Sequence, residues 1–201
     1  MEWFTGLGLA SASGLNAYIP ILSLGLLGRY THLVHLPSGW SWLENGWVLT
    51  IVAVLLAVEL VADKVPALDS VNDALQTFVR PTSGGIVFGS GTAAQTVAVA
   101  NPGTLAHSGQ WLPIVLGVLT ALGVHVTKST VRPAANVVTA GAAAPVLSTA
   151  ENLTSIALVA VAILVPVLVV VVLVLLFWLG FRLVRRFRRR SQYLDESSMD
   201  V

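Results

Sequence analysis

Six apolar runs, separated by short polar connections, set the pattern of this chain. Four are built from large side chains, at residues 3–28, 47–62, 111–127 and 153–181. Two, at 82–100 and 134–150, are weakly apolar and dominated by small residues. Small side chains let helix backbones approach closely, so these two are predicted inside a bundle. The pattern predicts an all-α, polytopic transmembrane helix bundle of about six spans. The last run is the most apolar. At roughly 1.5 Å per residue it exceeds a hydrocarbon thickness of about 30 Å, so it must tilt or protrude, and Pro166 is positioned to kink it.

The first run is interrupted at its middle by Ser11, Ser13, Gly14, Asn16 and Pro20. Proline removes a backbone donor and crowds the preceding turn, which predicts a kinked or unwound centre. Irregular backbone within a membrane is tolerated only where it is buried in protein or lines a cavity. The alternative is a simple proline kink among small packing residues. The connection at 29–46 reads as a loop. Trp40, Trp42 and Trp47 suggest an interfacial belt. His32 and His35 lie three apart, but a metal site needs three or four ligands, and no third is evident.

Residues 58–85 concentrate charge: Glu59, Asp63, Lys64, Asp69, Asp73 and Arg80. Ionisable groups beside membrane segments mark either a functional site or an interfacial anchor. Pro66 is expected to end the second span, because the residue before a proline disfavours helical geometry. Asp69 or Ser70 would then cap a short amphipathic helix that Pro81 stops. Asp69, Asp73 and Arg80 would share a face of it. In the fourth run His125, Lys128 and Arg132 also share a face, and Glu151 with Asn152 opens the last span. Val79-Arg80-Pro81 is echoed by Val131-Arg132-Pro133, each before a small-residue run. That echo suggests an internal repeat of the kind found in transporters with discontinuous helices.

Composition sharpens this reading. Of 201 residues 55% are hydrophobic and 10% charged, against about 25% charged in soluble domains. Mean hydropathy is +0.81. The chain has no cysteine, which excludes disulfides, thiolate metal sites and cysteine nucleophiles. Six arginines from Arg182 to Arg190 follow the last run at once. By the positive-inside rule they place the C-terminus in the cytoplasm, and six crossings bring the N-terminus there too. Lys64, Arg80, Lys128 and Arg132 then fall on the cytoplasmic side and Arg29 outside. The expected organisation is a transmembrane domain over 1–190 and a disordered cytoplasmic tail over 191–201.

Several segments carry a resemblance. Ser13 to Pro20 (SGLNAYIP), Glu59 to Asp69 (ELVADKVPALD), Arg80-Pro81, His125-Val-Thr-Lys128 and Pro145 to Glu151 (PVLSTAE) are similar to bacterial membrane proteins of the domain of unknown function 4126 family. The similarity covers nearly the whole chain except the acidic tail, and Ala-Asp-Lys-x-Pro-x-x-Asp is its most specific element. It implies a small polytopic inner-membrane protein and supplies no activity. The family often has Glu-Asp where this chain has Glu151-Asn152.

Two functions follow from the residues. The first is a small transporter or lipid-translocating protein for an anionic substrate, either a small molecule or a lipid head group. Asn16, Lys64, Arg80, His125, Lys128 and Arg132 would bind the substrate. Glu59, Asp63, Asp69, Asp73 and Glu151 would couple protons or pair charges. The second is a non-catalytic scaffold or assembly factor in which the charges are salt bridges that fix packing. No zinc-helix or nucleophile-elbow spacing is present, so no enzyme activity is expected. No cofactor, metal or nucleic-acid partner is expected, and the bilayer is the expected surrounding. A homo-oligomer remains open.

Overall fold

Helix formation follows the apolar runs, but the prolines act differently from expectation. The computed structural model describes residues 1–64, 66–100, 111–139, 143–179 and 182, and for 66–71, 73, 131 and 133–138 the backbone alone. The described elements are α1 (Glu2–Leu15), α2 (Tyr18–Tyr30), β1 (Val34–His35), a 3-10 helix (Ser38–Glu44), α3 (Gly46–Ala62), α4 (Pro66–Ala93), β2 (Gln95–Thr96), α5 (Trp111–Val138), α6 (Ala143–Leu164) and α7 (Leu168–Leu179). The fold is all-α apart from one short antiparallel pairing, with Val34 opposite Thr96 and His35 opposite Gln95. The chain divides into two units, Met1–Val169 and Val170–Val201. In the second unit the Arg182 guanidinium lies over the Trp178 ring, 5.1 Å from its centroid.

Within the first unit α1 is central, packing on α4, α5 and α6, while α4 packs along α5 and α2 packs on α3. Small residues make this possible: Gly6, Gly8, Ala10, Ser11, Ala12, Ser13 and Gly14 are all buried in α1. The first run breaks where expected, but the agent is Asn16 rather than Pro20. Asn16 adopts an extended backbone (φ −144°, ψ 122°). Its Oδ1 accepts from the amides of Tyr18 and Ile19, both at 3.0 Å, and so caps α2. Pro20 sits in the first turn of α2, where its missing N–H is not needed.

Three expectations are corrected. Pro66, expected as the stop of the second span, is instead the first residue of α4, which suits its fixed φ at a first helical position. Asp69 and Ser70 therefore lie inside the helix and not at its cap. Pro81 does not stop its helix, since α4 runs through it, as α5 runs through Pro133. A proline deletes one ladder bond; around Pro81 the helix is held by Thr82 Oγ1 donating to the Phe78 carbonyl (2.8 Å) and by packing on α5. The two small-residue runs are accordingly not separate helices. Residues 82–93 are the second half of α4. Residues 134–138 end α5, and 143–150 begin α6. The last run divides instead, with α6 ending at Leu164, just before Pro166.

The number of crossings changes with these boundaries. Trp111–Thr130 and Ala143–Leu164 are long and apolar enough to cross a membrane. Ser38–Glu44 with Gly46–Ala62, bent by 57°, makes a third if taken as one span. The connection at 29–46 is not a plain loop, since it holds β1 and the 3-10 helix. Trp40 is buried against Gly89, whereas Trp47 is largely exposed. The Asn-Pro-Gly turn at 101–103, most of the arginine run and the acidic tail lie outside the described residues.

Polarity runs opposite to that of a water-soluble domain. Trp47, Ile51, Val54, Val58, Val61, Leu153, Ile156 and Phe177 are exposed, whereas Glu59, Asp63, Arg80, His125, Lys128 and Arg132 are buried. In water the informative anomaly is a buried charge or a large exposed apolar patch; this chain has both.

Backbone contact fixes the α4–α5 pair. A Cβ on Gly117 would collide with the Gly84 carbonyl and with Phe88. Gly117→Ala should therefore destabilise the fold by about 1–3 kcal/mol, as overpacking does. Gly123→Ala, with nothing within 4 Å of the added carbon, should be neutral or slightly stabilising through helix propensity. Thermal unfolding of both variants in detergent checks this.

Candidate functional site

A helix leaves its last carbonyls without intrahelical partners, and its C-terminal end carries partial negative charge. At the α1 break these carbonyls face the protein interior, and side chains from three other helices meet them. Ser155 Oγ on α6 donates to the Ala12 carbonyl (3.0 Å), which also accepts the Asn16 amide (2.9 Å) in the last closed turn. Arg80 Nη1 on α4 donates to the Gly14 carbonyl (3.4 Å). Lys128 Nζ on α5 donates to the Leu15 carbonyl (3.2 Å).

Those cations require counter-charges, because an isolated buried ion is costly. Arg80, fully buried, donates Nη2 to Glu59 Oε1 at 3.0 Å. Its Nη1 lies 3.1 Å from His125 Nδ1. A guanidinium only donates, so Nδ1 is the acceptor and the imidazole is neutral, with its proton on Nε2. Nε2 then donates to Thr77 Oγ1 at 3.0 Å. One turn away, Lys128 Nζ lies 2.9 Å from Glu151 Oε2 and 3.8 Å from Asp63 Oδ2. Arg132 bridges the same two carboxylates. Its Nη2 reaches Asp63 Oδ2 at 3.3 Å, and it holds Glu151 in a two-pronged grip through Nε (3.1 Å) and Nη2. Asn72 Nδ2 donates to Asp63 Oδ1 at 2.7 Å.

The sequence-derived candidates sort clearly. Glu59, Asp63, Arg80, His125, Lys128, Arg132 and Glu151 converge from α3, α4, α5 and α6. Asn16 lies beside them: its Nδ2 donates to Asn152 Oδ1 at 2.9 Å. Lys64 does not join them. It is exposed, and among the described residues it makes no ion pair. The side chains of Asp69 and Asp73 lie outside the described residues. The arginines of the two Arg-Pro echoes meet in one network, but at different places in their helices. Thirteen residues of α4 follow Arg80, and six of α5 follow Arg132. Asn72, Gln76, Thr77 and Ser83 are not among the sequence-derived candidates, and Asn152 stands out there only as a departure from the family pattern. The spacing that joined Asp69, Asp73 and Arg80 on one face also includes Asn72 and Gln76, so the signal was present.

Among the described residues the network is balanced, with three carboxylates (Glu59, Asp63, Glu151) against three cations (Arg80, Lys128, Arg132). Only Glu151 approaches the surface, its side chain 14% exposed. The described residues contain no group of three His, Asp or Glu suited to hold a metal.

Removing one partner of such a network leaves a buried charge uncompensated. Arg132→Gln should cost about 3–5 kcal/mol, because Asp63 and Glu151 then have Lys128 alone to share between two negative charges. Lys64→Ala should leave the unfolding midpoint unchanged. Chemical or thermal unfolding of both variants in one detergent provides the comparison.

No curated protein and no solved structure matches this chain. The family described as "Domain of unknown function (DUF4126)" matches residues 3–186. With the Ala-Asp-Lys-x-Pro-x-x-Asp element, the broken first helix and nearly the entire chain inside that match, the protein belongs to the domain of unknown function 4126 family.

Proposed function

We propose that this is a multi-pass protein of a bacterial inner membrane that moves an anionic solute, either a small carboxylate or phosphate or a lipid head group bearing one. The observation that carries the reading is the α1 break, whose carbonyls lie buried together with the two cations that donate to them. Discontinuous helices are where transporters build their sites, because backbone ends supply charge without side chains. The exposed apolar faces and buried charges support the membrane setting.

Charge matching decides how such a site would work. With Arg80, Lys128 and Arg132 all held by carboxylates, an incoming anion must replace one of them. The carboxylates act as internal substitutes for substrate, and release of one opens a guanidinium or ammonium to it. Arginine suits planar, two-pronged capture, and lysine acts as a point charge. Asn16 serves the break itself, as cap of α2 and partner of Asn152. His125 holds its acceptor nitrogen on Arg80 and so aims the guanidinium.

The same matching favours a second reading, a scaffold in which the network only fixes helix register. Apolar side chains of similar volume often stabilise as well as a buried ion network does. Stability alone therefore gives little reason for five buried charges.

Uptake into proteoliposomes separates the two. Labelled phosphate and lactate test soluble anions, and a fluorescent phosphatidylglycerol analogue tests the head-group arm. Arg132→Lys keeps the charge but loses the fork; it should lower uptake at least tenfold with little change in the melting curve. Absence of uptake for every probe in the wild-type protein, together with a stable partner in gentle-detergent pull-downs, would support the scaffold. For orientation, the arginines beyond the last apolar helix favour a cytoplasmic C-terminus, and an even number of crossings would bring the N-terminus to the same face. The absence of native cysteine makes this directly measurable. Ser197→Cys should react with a membrane-impermeant maleimide only in inside-out vesicles.

A further inference from the structure

The order of its contacts fixes the direction of each helix in the first unit. α1 runs antiparallel to α6, since Asn16 meets Asn152, Ala12 meets Ser155 and Gly8 lies against Ala162. It runs antiparallel to α4 as well. Ser13 pairs with Ser83, Gly6 lies against Phe88 and Thr92, and the Trp3 ring meets Phe88 edge-on at 6.4 Å between centroids. The break therefore lies at the level of Ser83, and α1 starts at the end of α4 that carries Phe88 and Thr92.

α2 starts at the same break, where Ser83 Oγ donates to the Ala17 carbonyl. Its other end is located by the connection that follows it. Arg29 Nη1 donates to the Glu44 carbonyl at 2.7 Å, and Gly25 lies against Leu43 and Leu49. That connection meets α4 at Gly89, through Trp40, and Val34 pairs with Thr96 beyond the end of α4. So α2 returns to the end from which α1 came. A first run that continued straight on would put Tyr30 on the opposite side of the charge network from Trp3. α1 has 14 residues and α2 has 13. Each arm is thus about 20 Å long, short of a hydrocarbon thickness of roughly 30 Å.

We propose that α1 and α2 form a re-entrant hairpin, which enters the membrane from one face, turns at Asn16–Ala17 and leaves by the same face. The first apolar run then makes no crossing. The start of α1 and the connection at 29–46 share a face. Lys64 lies on the other, because α3 begins with Leu49 beside Gly25, reaches Arg80 with Glu59 and ends at Ala62. Irregular backbone at membrane depth must be buried in protein, and Asn16 and Ala17 are fully buried. Contacts along α5 place the charges relative to this tip. Ala121 and Val124 lie against Gly14, Lys128 reaches the Leu15 carbonyl, and Arg132 reaches Asp63. The Asp63–Arg132 pair thus lies beyond the tip, on the side of Lys64. On the transport reading above, the hairpin is what separates that pair from the face where α1 starts; the hairpin itself does not rest on that reading.

The experiment is single-cysteine labelling of the full-length protein, which has no cysteine of its own. Three proteins are compared: one with a cysteine in a short tag ahead of Met1, Ser38→Cys and Lys64→Cys, the last two at exposed positions. Each is treated with a membrane-impermeant maleimide in right-side-out and in inside-out vesicles. The tag and Ser38→Cys should react in the same type of vesicle, and Lys64→Cys in the other. Reaction of the tag and Ser38→Cys in different vesicles overturns the hairpin, because a first run that crosses gives that result. So does reaction of Lys64→Cys in the same vesicles as Ser38→Cys. Should Ser38→Cys stay unlabelled in both, Ser41→Cys, exposed on the same connection, decides in its place. The expected labelling without anion uptake retires the transport reading and leaves the hairpin standing. Uptake with the tag and Ser38→Cys on opposite faces does the reverse.

Discussion

A helix that stops inside a protein imposes a demand on everything around it. At the end of α1 the carbonyls of Ala12, Gly14 and Leu15 have no continuing turn of α1 to supply every donor they can accept. Ser155, Arg80 and Lys128 supply donors. Two of the three are cations, and each brings a requirement for counter-charge, met by Glu59, Asp63 and Glu151. Arg132 completes the balance by bridging the last two. The charges therefore form one chain of consequences that starts from a single broken helix: Arg80 on α4 and Lys128 on α5 reach the break, and the acids from α3 and α6 reach those cations.

This dependence also explains the mixture of long and short polar side chains in the interior. Where α1 meets a neighbour closely, serines serve: Ser13 pairs with Ser83 at 3.0 Å, and Ser83 also donates to the Ala17 carbonyl. Arginine and lysine bring apolar stems with polar ends to the Gly14 and Leu15 carbonyls. Their charge comes with the side chains that make these bonds.

Much of this could be read from the chain before its structure. The apolar runs gave the all-α class. Ser13, Gly14 and Asn16 marked the break, and the spacing of His125, Lys128 and Arg132 put them on one face. The misreadings were about continuity. Pro81 looks like a stop in isolation, because sequence shows the lost donor but not the neighbouring helix that holds the turn together. Pro166 looked like a mere kink in one long span, and there the helix ends instead. Lys64 was grouped with its neighbours by proximity along the chain, yet at a helix end two adjacent residues point in different directions. Asn152 drew notice as a departure from the family pattern. Its partnership with Asn16, 136 residues away, is a long-range fact that no local pattern encodes.

The touching backbones of Gly84 and Gly117 bear on motion as well as on packing. Helices in contact through their main chains have no compliant side-chain layer between them, so the separation of the α4 and α5 axes at this point is set by backbone atoms. A repacking of side chains therefore has nothing there to act on, and the spacing can neither narrow nor follow a change of rotamer.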